Sequence, residues 1–180
     1  RRDKKTIGFK ELEEAIDRVI AGPEKKSRLI SPREKEIVAF HEAGHTLVAR
    51  KLPHADPVHK VSIVARGMSL GHTQQLPTED RYLASRAQLL DMVATSLGGR
   101  AAEDLIFGDV TTGAGEDLEK ATQIARMMVT RYAMSDKLGP RTFGRKEEFI
   151  FLGREISEQR NYGDKVANEI DEEVHDLVQK

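Results

Sequence analysis

The spacing of apolar residues along the chain predicts a mostly helical protein. Apolar positions recur three or four residues apart in five stretches, as they do on the buried face of an amphipathic helix. Helix-breaking residues bound these stretches, Gly22-Pro23 and Pro53 among them. The predicted helices cover residues 9–21, 32–52, 86–107 and 115–134, and a last one begins near Asp164.

The region between the second and third predicted helices has a different pattern. Residues 58–64 alternate apolar and polar side chains, and a second strand-like run covers residues 70–76. Alternation with a period of two is typical of a half-buried strand, and Pro77 ends the second run. The expected fold class is therefore mainly α, with a small β-ribbon close to the second helix.

Two of the helices carry recognisable start signals. Ser31 can cap the second helix, Pro32 suits its first position, and Glu34 can complete a capping box. Ser85 and Gln88 form the same pattern at the start of the third helix. These signals predict where both helices begin.

The second predicted helix contains the sequence HEAGH at residues 41–45. Two histidines four residues apart project from one face of a helix, so the rings of His41 and His45 can reach one metal ion. Glu42 would then be placed to take a proton from a metal-bound water, which is the arrangement that a zinc peptidase needs. The alternative is a pair of structural histidines beside an unrelated glutamate.

Neighbouring residues predict that this motif is at least partly buried. Phe40, Leu47 and Val48 give the helix apolar surface close to the histidines. Gly44, between the two histidines, costs about 1 kcal/mol of helix propensity relative to alanine. A closely packed neighbour or an approaching substrate would explain why the helix has glycine at this position.

Composition restricts the ligands and excludes several functions. The chain has no cysteine, so zinc would have to be bound by histidine and carboxylate. With 33% charged residues and a formal net charge of −1, it lacks the basic footprint of a nucleic-acid-binding protein. No apolar run approaches the roughly 18–20 residues of a membrane span. The start at Arg1-Arg2, without Met, predicts a segment of a longer protein.

A catalytic zinc ion needs a third protein ligand. The metzincin pattern HExxHxxGxxH is excluded because Val48 and Lys51 occupy its glycine and histidine positions. A thermolysin-like glutamate downstream of the second histidine is disfavoured, since no acidic residue lies between Asp56 and Glu79. The third ligand must therefore come from further along the chain.

Two pairs of acidic residues stand out as candidates for that ligand, Glu103-Asp104 and Glu116-Asp117, and Glu116 is expected to point to the polar side of its helix. Asp117 extends one face of the fourth predicted helix, and that face continues with Ala121, Ile124 and Met128, so it should be buried. A carboxylate directed at a core needs a compensating partner such as a metal ion, although an acid in the first turn also complements the helix dipole. Glu103 follows a run of small residues where helices can approach closely. Helix geometry leaves the choice open.

Several stretches of the chain match one known pattern: residues 41–45 (HEAGH), 56–63 (DPVHKVSI), 97–103 (LGGRAAE), 111–118 (TTGAGEDL), 128–132 (MVTRY), 135–140 (SDKLGP) and 151–154 (FLGR). In these stretches the chain resembles the peptidase domain of FtsH, the family of membrane-bound AAA ATP-dependent zinc proteases (peptidase family M41). The combination of HEAGH with TTGAGEDL at this separation is the most specific part. Ala133 departs from the pattern, because family members often have glycine there.

The resemblance implies a role for each candidate site residue. It implies that His41, His45 and Asp117 bind zinc and that Glu42 is the general base. Zinc-activated water would attack the scissile carbonyl. Glu103 is left as either a competing ligand or a partner for a histidine N–H.

The second predicted strand, residues 70–76, resembles the family's substrate-binding edge, to which an extended peptide would add. His59 and His72 lie in or near the ribbon and are able in principle to polarise the substrate carbonyl. Each is expected to be an ordinary strand residue, so both stay outside the predicted catalytic set.

For the chain as a whole, the resemblance implies a zincin-type metallopeptidase domain at residues 31–180, preceded by the tail of an ATPase lid helix and its linker at residues 1–30. The expected function is zinc-dependent cleavage of unfolded or threaded polypeptides by a membrane-anchored, homo-hexameric protease. ATP and Mg²⁺ would bind only in an ATPase domain outside this sequence. Membrane contact would be made only by N-terminal segments outside it, with this domain on the cytoplasmic side or in an organelle matrix or stroma. One alternative is a catalytically silent assembly module, which the intact HEAGH motif disfavours. Another is a stand-alone zinc peptidase without an ATPase, which the lid-like first helix and the start without Met disfavour.

Overall fold

The computed structural model describes residues 6–20, 22–24, 29–66, 69–144 and 161–179. It confirms a mainly helical fold with a small β-ribbon. The helices are α1 (Phe9–Ile20), α2 (Pro32–Lys51), α3 (Arg86–Phe107), α4 (Gly115–Thr130) and α5 (Asp164–Gln179). The strands are β1 (Val58–Ser62) and β2 (His72–Gln75), and a 3-10 turn at Thr112–Ala114 precedes α4.

Both predicted capping boxes are present. The N–H of Glu34 donates to Ser31 Oγ (3.1 Å), and the N–H of Ser31 donates to the Glu34 carboxylate (2.9 Å). At α3, the N–H of Gln88 donates to Ser85 Oγ (3.2 Å), and the N–H of Ser85 donates to the Gln88 side-chain oxygen (2.7 Å). Caps of this kind contribute about 1 kcal/mol each. They fix the starting points of α2 and α3.

The strands β1 and β2 pair antiparallel and follow α2 in the chain, with Val61 opposite Thr73. The register shifts once, in the first half of β1. The paired strands are shorter than the two predicted runs because β1 ends at Ser62. There the Ser62 hydroxyl accepts a hydrogen bond from the N–H of Val64 (3.1 Å), a local bond that turns the chain out of the ladder.

The core is organised around α4, which packs between α3 and α5. Apart from Phe143, the buried residues of both interfaces have no aromatic ring, as expected from an aromatic content of 5%. The α3–α4 cluster comprises Leu89, Val93, Ala121, Ile124 and Met128, and the α4–α5 cluster comprises Ala125, Val129, Phe143, Ile170 and Val174. Packing of α4 on α3 sets the position of the first turn of α4.

The end of α4 differs from the prediction, because the helix stops at Thr130 and not near Met134. Ala133 has a left-handed backbone (φ +52°), through which a right-handed helix does not continue. The N–H of Met134 donates to the carbonyl oxygen of Met128 (2.9 Å), and the N–H of Phe143 donates to the carbonyl oxygen of Thr130 (2.8 Å). The predicted end is wrong because apolar spacing does not reveal these backbone bonds.

The motif helix α2 is buried on a face other than the predicted one. Phe40 and Leu47 are 38% and 62% exposed, so two of the apolar residues expected to bury the motif lie at the surface. The buried face carries the motif itself, with His41, Glu42, Gly44, His45 and Ala49. Burial of the motif is confirmed, but polar and small residues produce it.

Within the described ranges, no helix is both long enough and apolar enough to cross a membrane. Residues 151–154 of the family pattern lie outside the described residues. So do residues 1–5, 21 and 25–28 of the predicted lid tail and linker. The predicted division at residue 30 stays a prediction.

Candidate metal centre

Helices α2 and α3 cross beside the site with their backbones in contact. A Cβ atom added to Gly98 of α3 would lie 2.9 Å from the carbonyl oxygen of Gly44 in α2. A Cβ on Gly44 would overlap the carbonyl of Gly98 and lie 2.7 Å from the Ala102 methyl. Close packing, one of the two explanations considered for the glycine inside the motif, is therefore the one observed.

The next residue of α3, Gly99, makes room for the two imidazole rings. A Cβ at this position would overlap His41 Nε2 and lie 2.6 Å from His45 Nε2. The Gly98-Gly99 pair thus has two functions. One glycine allows the helices to touch, and the other allows the rings to lie against the surface of α3.

Three potential ligand atoms converge at this crossing. His41 Nε2 and His45 Nε2 are 3.0 Å apart. Asp117 Oδ2, from the first turn of α4, lies 3.1 Å from His41 Nε2 and 3.2 Å from His45 Nε2. Of the two candidates for the third ligand, Asp117 is the one that the structure brings to the Nε2 atoms.

The other ring nitrogen of His45 determines its tautomer. His45 Nδ1 lies 2.7 Å from the backbone carbonyl oxygen of Thr95. A carbonyl oxygen only accepts hydrogen bonds, so Nδ1 must carry the proton. In the neutral ring, Nε2 of His45 then has a lone pair directed at Asp117 and His41.

Glu103, which was also a candidate ligand, determines the tautomer of His41. Its Oε1 lies 2.7 Å from His41 Nδ1, and its Oε2 accepts from the N–H of Thr111 (2.7 Å). The residue is 1% exposed, and its two oxygens are engaged in these bonds. The contacts of Glu103 are therefore those of a histidine partner, which was the second of the two predicted possibilities.

The arrangement gathers three hydrogen-bond acceptors around one point. With both Nδ1 atoms protonated, each Nε2 of the neutral rings is a lone-pair donor, as is the Asp117 carboxylate. Such atoms repel one another at 3.0–3.2 Å unless a proton or a metal ion lies between them. Zinc–ligand bonds of about 2.0–2.1 Å in a tetrahedron place ligand atoms about 3.3 Å apart. The donor set and its spacing fit zinc.

The pKa values also favour positive charge at this point. Burial lowers the pKa of His41, but the neighbouring carboxylates of Asp117 and Glu103 outweigh it and raise the pKa above the ordinary value. Burial raises the pKa of Asp117, but the neighbouring rings of His41 and His45 outweigh it and hold the pKa well below its usual range. Asp117 is therefore an anion, and its surroundings stabilise a cation beside it.

Glu42 is directed toward the ribbon. It is 6% exposed, and its Oε2 accepts a hydrogen bond from the hydroxyl of Thr73 on β2 (2.6 Å). Gly71, just before β2, lies against the same carboxylate, and a Cβ there would be 2.7 Å from Glu42 Oε1. Neither Thr73 nor Gly71 belongs to a local motif, so neither was predicted as a site residue.

A cleft of about 1260 Å³ opens onto this centre. Its walls include the whole of β2, the loop around Tyr82 and Leu83, and the first half of α3. His72 lines the cleft, whereas His59 is exposed on β1 and does not. The predicted site residues that line it are His41, Glu42, His45 and Asp117, with Glu103 behind His41.

The fold and the site together define a mainly helical metallopeptidase domain of the HExxH class. Within that class, the chain belongs to peptidase family M41, whose family model matches residues 28–180. The family resemblance inferred from the sequence is confirmed.

Three similar proteins illustrate the relationship. ATP-dependent zinc metalloprotease FtsH 1 of Sphaerobacter thermophilus is 63% identical, over 99% of this chain and 27% of the relative. ATP-dependent zinc metalloprotease FtsH of Kosmotoga olearia is 59% identical, over 99% and 28%. The FtsH protein of Thermotoga maritima is 56% identical, over 98% and 29%. The chain thus spans little more than a quarter of the length of these relatives.

Proposed function

We propose that this chain is the zinc-dependent endopeptidase domain of an ATP-dependent protease. In this proposal His41, His45 and Asp117 hold the metal, and Glu42 is the general base. The observation that carries it is the convergence of three lone-pair atoms within 3.0–3.2 Å of one another, on one side of a cleft that also contains Glu42.

Zinc bound here would supply Lewis acidity, which activates water and stabilises negative charge on a carbonyl oxygen. The protein's own groups supply the remaining parts of the mechanism. Glu42 accepts the proton that the attacking water loses, and it can return that proton to the leaving amine. The carbonyl of Thr95 and the carboxylate of Glu103 keep both Nε2 atoms available as ligands, a contribution typical of groups behind a metal ligand.

The substrate is proposed to be an extended, unfolded polypeptide. β2 pairs with β1 along one edge, and no further strand of the described residues pairs with its other edge. All residues of β2, His72–Gln75, line the cleft. A peptide with free backbone groups can add to such an edge by β-augmentation, which requires an unfolded segment but little sequence specificity.

The properties of the whole protein are also part of the proposal. The relatives are named as ATP-dependent zinc metalloproteases, and this chain matches about a quarter of their length. We place ATP and Mg²⁺ in a separate ATPase domain, residues 1–30 in the lid tail and linker, and residues 31–180 in the peptidase domain. The start of the family match at residue 28 supports that division. A homo-hexamer, anchored in a membrane through other segments, with this domain on the cytoplasmic, matrix or stromal side, completes the proposal.

Zinc content and proteolysis test this function together. We expect about one zinc per chain after reloading and desalting, and cleavage of fluorescein-labelled casein, an unstructured protein. Glu42→Gln should retain zinc and lose cleavage, because an amide cannot act as a general base. A folded chain that bound no zinc, or cleavage that survived in Glu42→Gln, would contradict the proposal. The first result would favour the silent assembly module.

A further inference from the structure

The carboxylate of Glu42 is held by a residue from outside its own helix. Thr73 Oγ1 lies 2.6 Å from Glu42 Oε2 and 3.2 Å from the backbone carbonyl oxygen of Glu42. The threonine hydroxyl has one proton to donate, and an ionised carboxylate is a stronger acceptor than a carbonyl. The shorter contact is therefore the hydrogen bond, and it fixes one carboxylate oxygen.

The position of the Thr73 hydroxyl is itself determined by the ribbon. Thr73 lies opposite Val61 in the antiparallel ladder, so its backbone is held by β1. Two residues earlier in the chain, the backbone of Gly71 packs so closely on Glu42 that an added Cβ would lie 3.0 Å from Glu42 Cγ and 2.7 Å from Val38 Cγ1. The side chain of Glu42 is thus enclosed between α2 and the ribbon.

This contact affects the atom that must accept a proton. A glutamate has several rotatable bonds, and a general base must lie within hydrogen-bond reach of the water it deprotonates. A hydrogen bond at Oε2 restricts the rotation of the carboxylate. It therefore sets the direction in which the remaining lone pairs of both oxygens point. A displacement of about 1 Å at such a position can cost roughly 100-fold in rate.

We propose, on the basis of the function proposed above, that Thr73 is a positioning residue for Glu42, through which the β-ribbon sets the orientation of the general base. The hydrogen bond of Thr73 is made to Glu42 and not to the ligand atoms of His41, His45 or Asp117. Its contribution should therefore appear in kcat, with zinc binding and KM little changed.

The test compares threonine variants of the chain with zinc bound and fluorescein-labelled casein as substrate. Thr73→Val keeps the shape and the strand preference but removes the hydroxyl, and we expect kcat to fall about 10- to 100-fold. Zinc should stay at about one per chain, and KM should change by less than about twofold, the pattern of an interaction used in the transition state. Thr73→Ser should restore most of kcat. Thr73→Ala, which adds no methyl group beside the carboxylate, should behave like Thr73→Val.

Thr46→Val is the matched control. The Thr46 hydroxyl also bonds to Glu42, but to its backbone carbonyl (2.8 Å), so its loss should leave kcat near the wild-type value. If Thr73→Val kept the wild-type kcat, or if Thr73→Ser were as slow as Thr73→Val, the positioning role would be overturned. A wild-type chain that held zinc and did not cleave casein would instead overturn the proposed function, and the role of Thr73 with it.

Discussion

At the scale of single residues, the Nδ1 atoms of the two histidines determine what their Nε2 atoms can bind. His45 is oriented by the backbone carbonyl of Thr95 and His41 by the side chain of Glu103, each at 2.7 Å. The two partners differ in an important way. A substitution can remove the partner of His41, but no substitution can remove the backbone partner of His45.

The ligand and the histidine partner should respond differently to substitution. Asp117→Ala removes one of three proposed ligands, so the chain should lose zinc and cleavage while its helix content stays nearly unchanged. Glu103→Gln keeps the shape of a side chain behind a ligand, so zinc affinity should weaken by about 10- to 100-fold without being abolished. Elemental analysis and zinc titration measure zinc content and zinc affinity, and circular dichroism measures helix content.

The reverse result would reassign the third ligand. If Glu103→Gln abolished zinc binding and Asp117→Ala retained it, the carboxylate on α3 would be the ligand and Asp117 only a first-turn residue of α4.

Local spacing explains which of these residues could be predicted. His41, Glu42 and His45 follow from positions within one helix turn, and the buried face of α4 made Asp117 a candidate. The hydrogen bond between Thr73 and Glu42 joins residues 31 apart, and that between His41 and Glu103 joins residues 62 apart. Such contacts depend on how whole elements pack, so single-residue patterns left Glu103 ambiguous and Thr73 unrecognised.

At the scale of elements, the crossing of α2 and α3 is the feature on which the site depends. Helix–helix distances are normally set by interlocking side chains. Here Gly44 and Gly98 place backbone against backbone, so there is no side chain that can move aside.

A methyl group at this crossing should destabilise the fold. Gly44→Ala gains about 1 kcal/mol of helix propensity. Overpacking costs typically 1–3 kcal/mol. Here the added atom meets a fixed backbone carbonyl, so we expect the cost of overpacking to exceed the gain in helix propensity. Gly115→Ala is the control, because Gly115 has helical dihedral angles and no atom within 4 Å of an added Cβ. Urea unfolding should show a lower midpoint for Gly44→Ala alone, and equal midpoints would contradict backbone contact.

The ion pairs that join α1 to β1 and to Arg66 should make the stability of the fold depend on pH. Asp17 of α1 is 7% exposed and forms ion pairs with Lys60 of β1 and with Arg66 (3.8 Å to the latter). The hydrogen bond with Lys60 outweighs burial and holds the pKa of Asp17 below its ordinary value of 3.8. A lowered pKa in the folded state means that this contribution to stability is present above about pH 4 and is lost as the pH falls below the folded-state pKa.

Asp17→Asn should reveal that contribution. At pH 7 the variant should unfold at a lower urea concentration than the wild type, because Lys60 loses its charged partner. The difference should shrink as both proteins are taken below pH 4, where the wild-type carboxyl becomes protonated. A difference that stayed constant from pH 7 to pH 3 would show that charge on Asp17 is not its cause.

Elements were predictable where their ends carry local signals. Ser31 and Ser85 mark helix starts by side-chain hydrogen bonds to residues three positions away, and the structure has both boxes. The end of α4 has no such signal. It depends on a left-handed alanine and on a backbone bond from Phe143, thirteen residues beyond the last helical residue. The buried face of α2 was also misassigned, because glycine and histidine lack the apolar signature of a core.

At the scale of the whole molecule, a ligand that binds only the folded chain must stabilise it. The ligand atoms come from α2 and α4, so the site exists only when both are packed on α3. Free zinc at 100 times its Kd would add about 2.7 kcal/mol. For a chain of this size that corresponds to roughly 5–10 °C in Tm.

Removal of zinc with a chelator should therefore lower Tm by roughly 5–10 °C, and added zinc should restore it. Asp117→Ala should show neither effect. A wild-type Tm that did not respond to either treatment would mean that the three atoms do not bind metal, whatever their spacing.

The backbone contact between α2 and α3 has a consequence for the rate of metal exchange. Neither ring can swing away from Gly99 without breaking its bond at Nδ1, and the helices cannot separate by a change of rotamer at Gly44 or Gly98. Departure of a bound ion then requires Asp117 to turn away or a whole helix to shift. The residence time of a bound metal would thus depend on how often Asp117 turns away or a helix shifts, and not on rotation of the histidine rings.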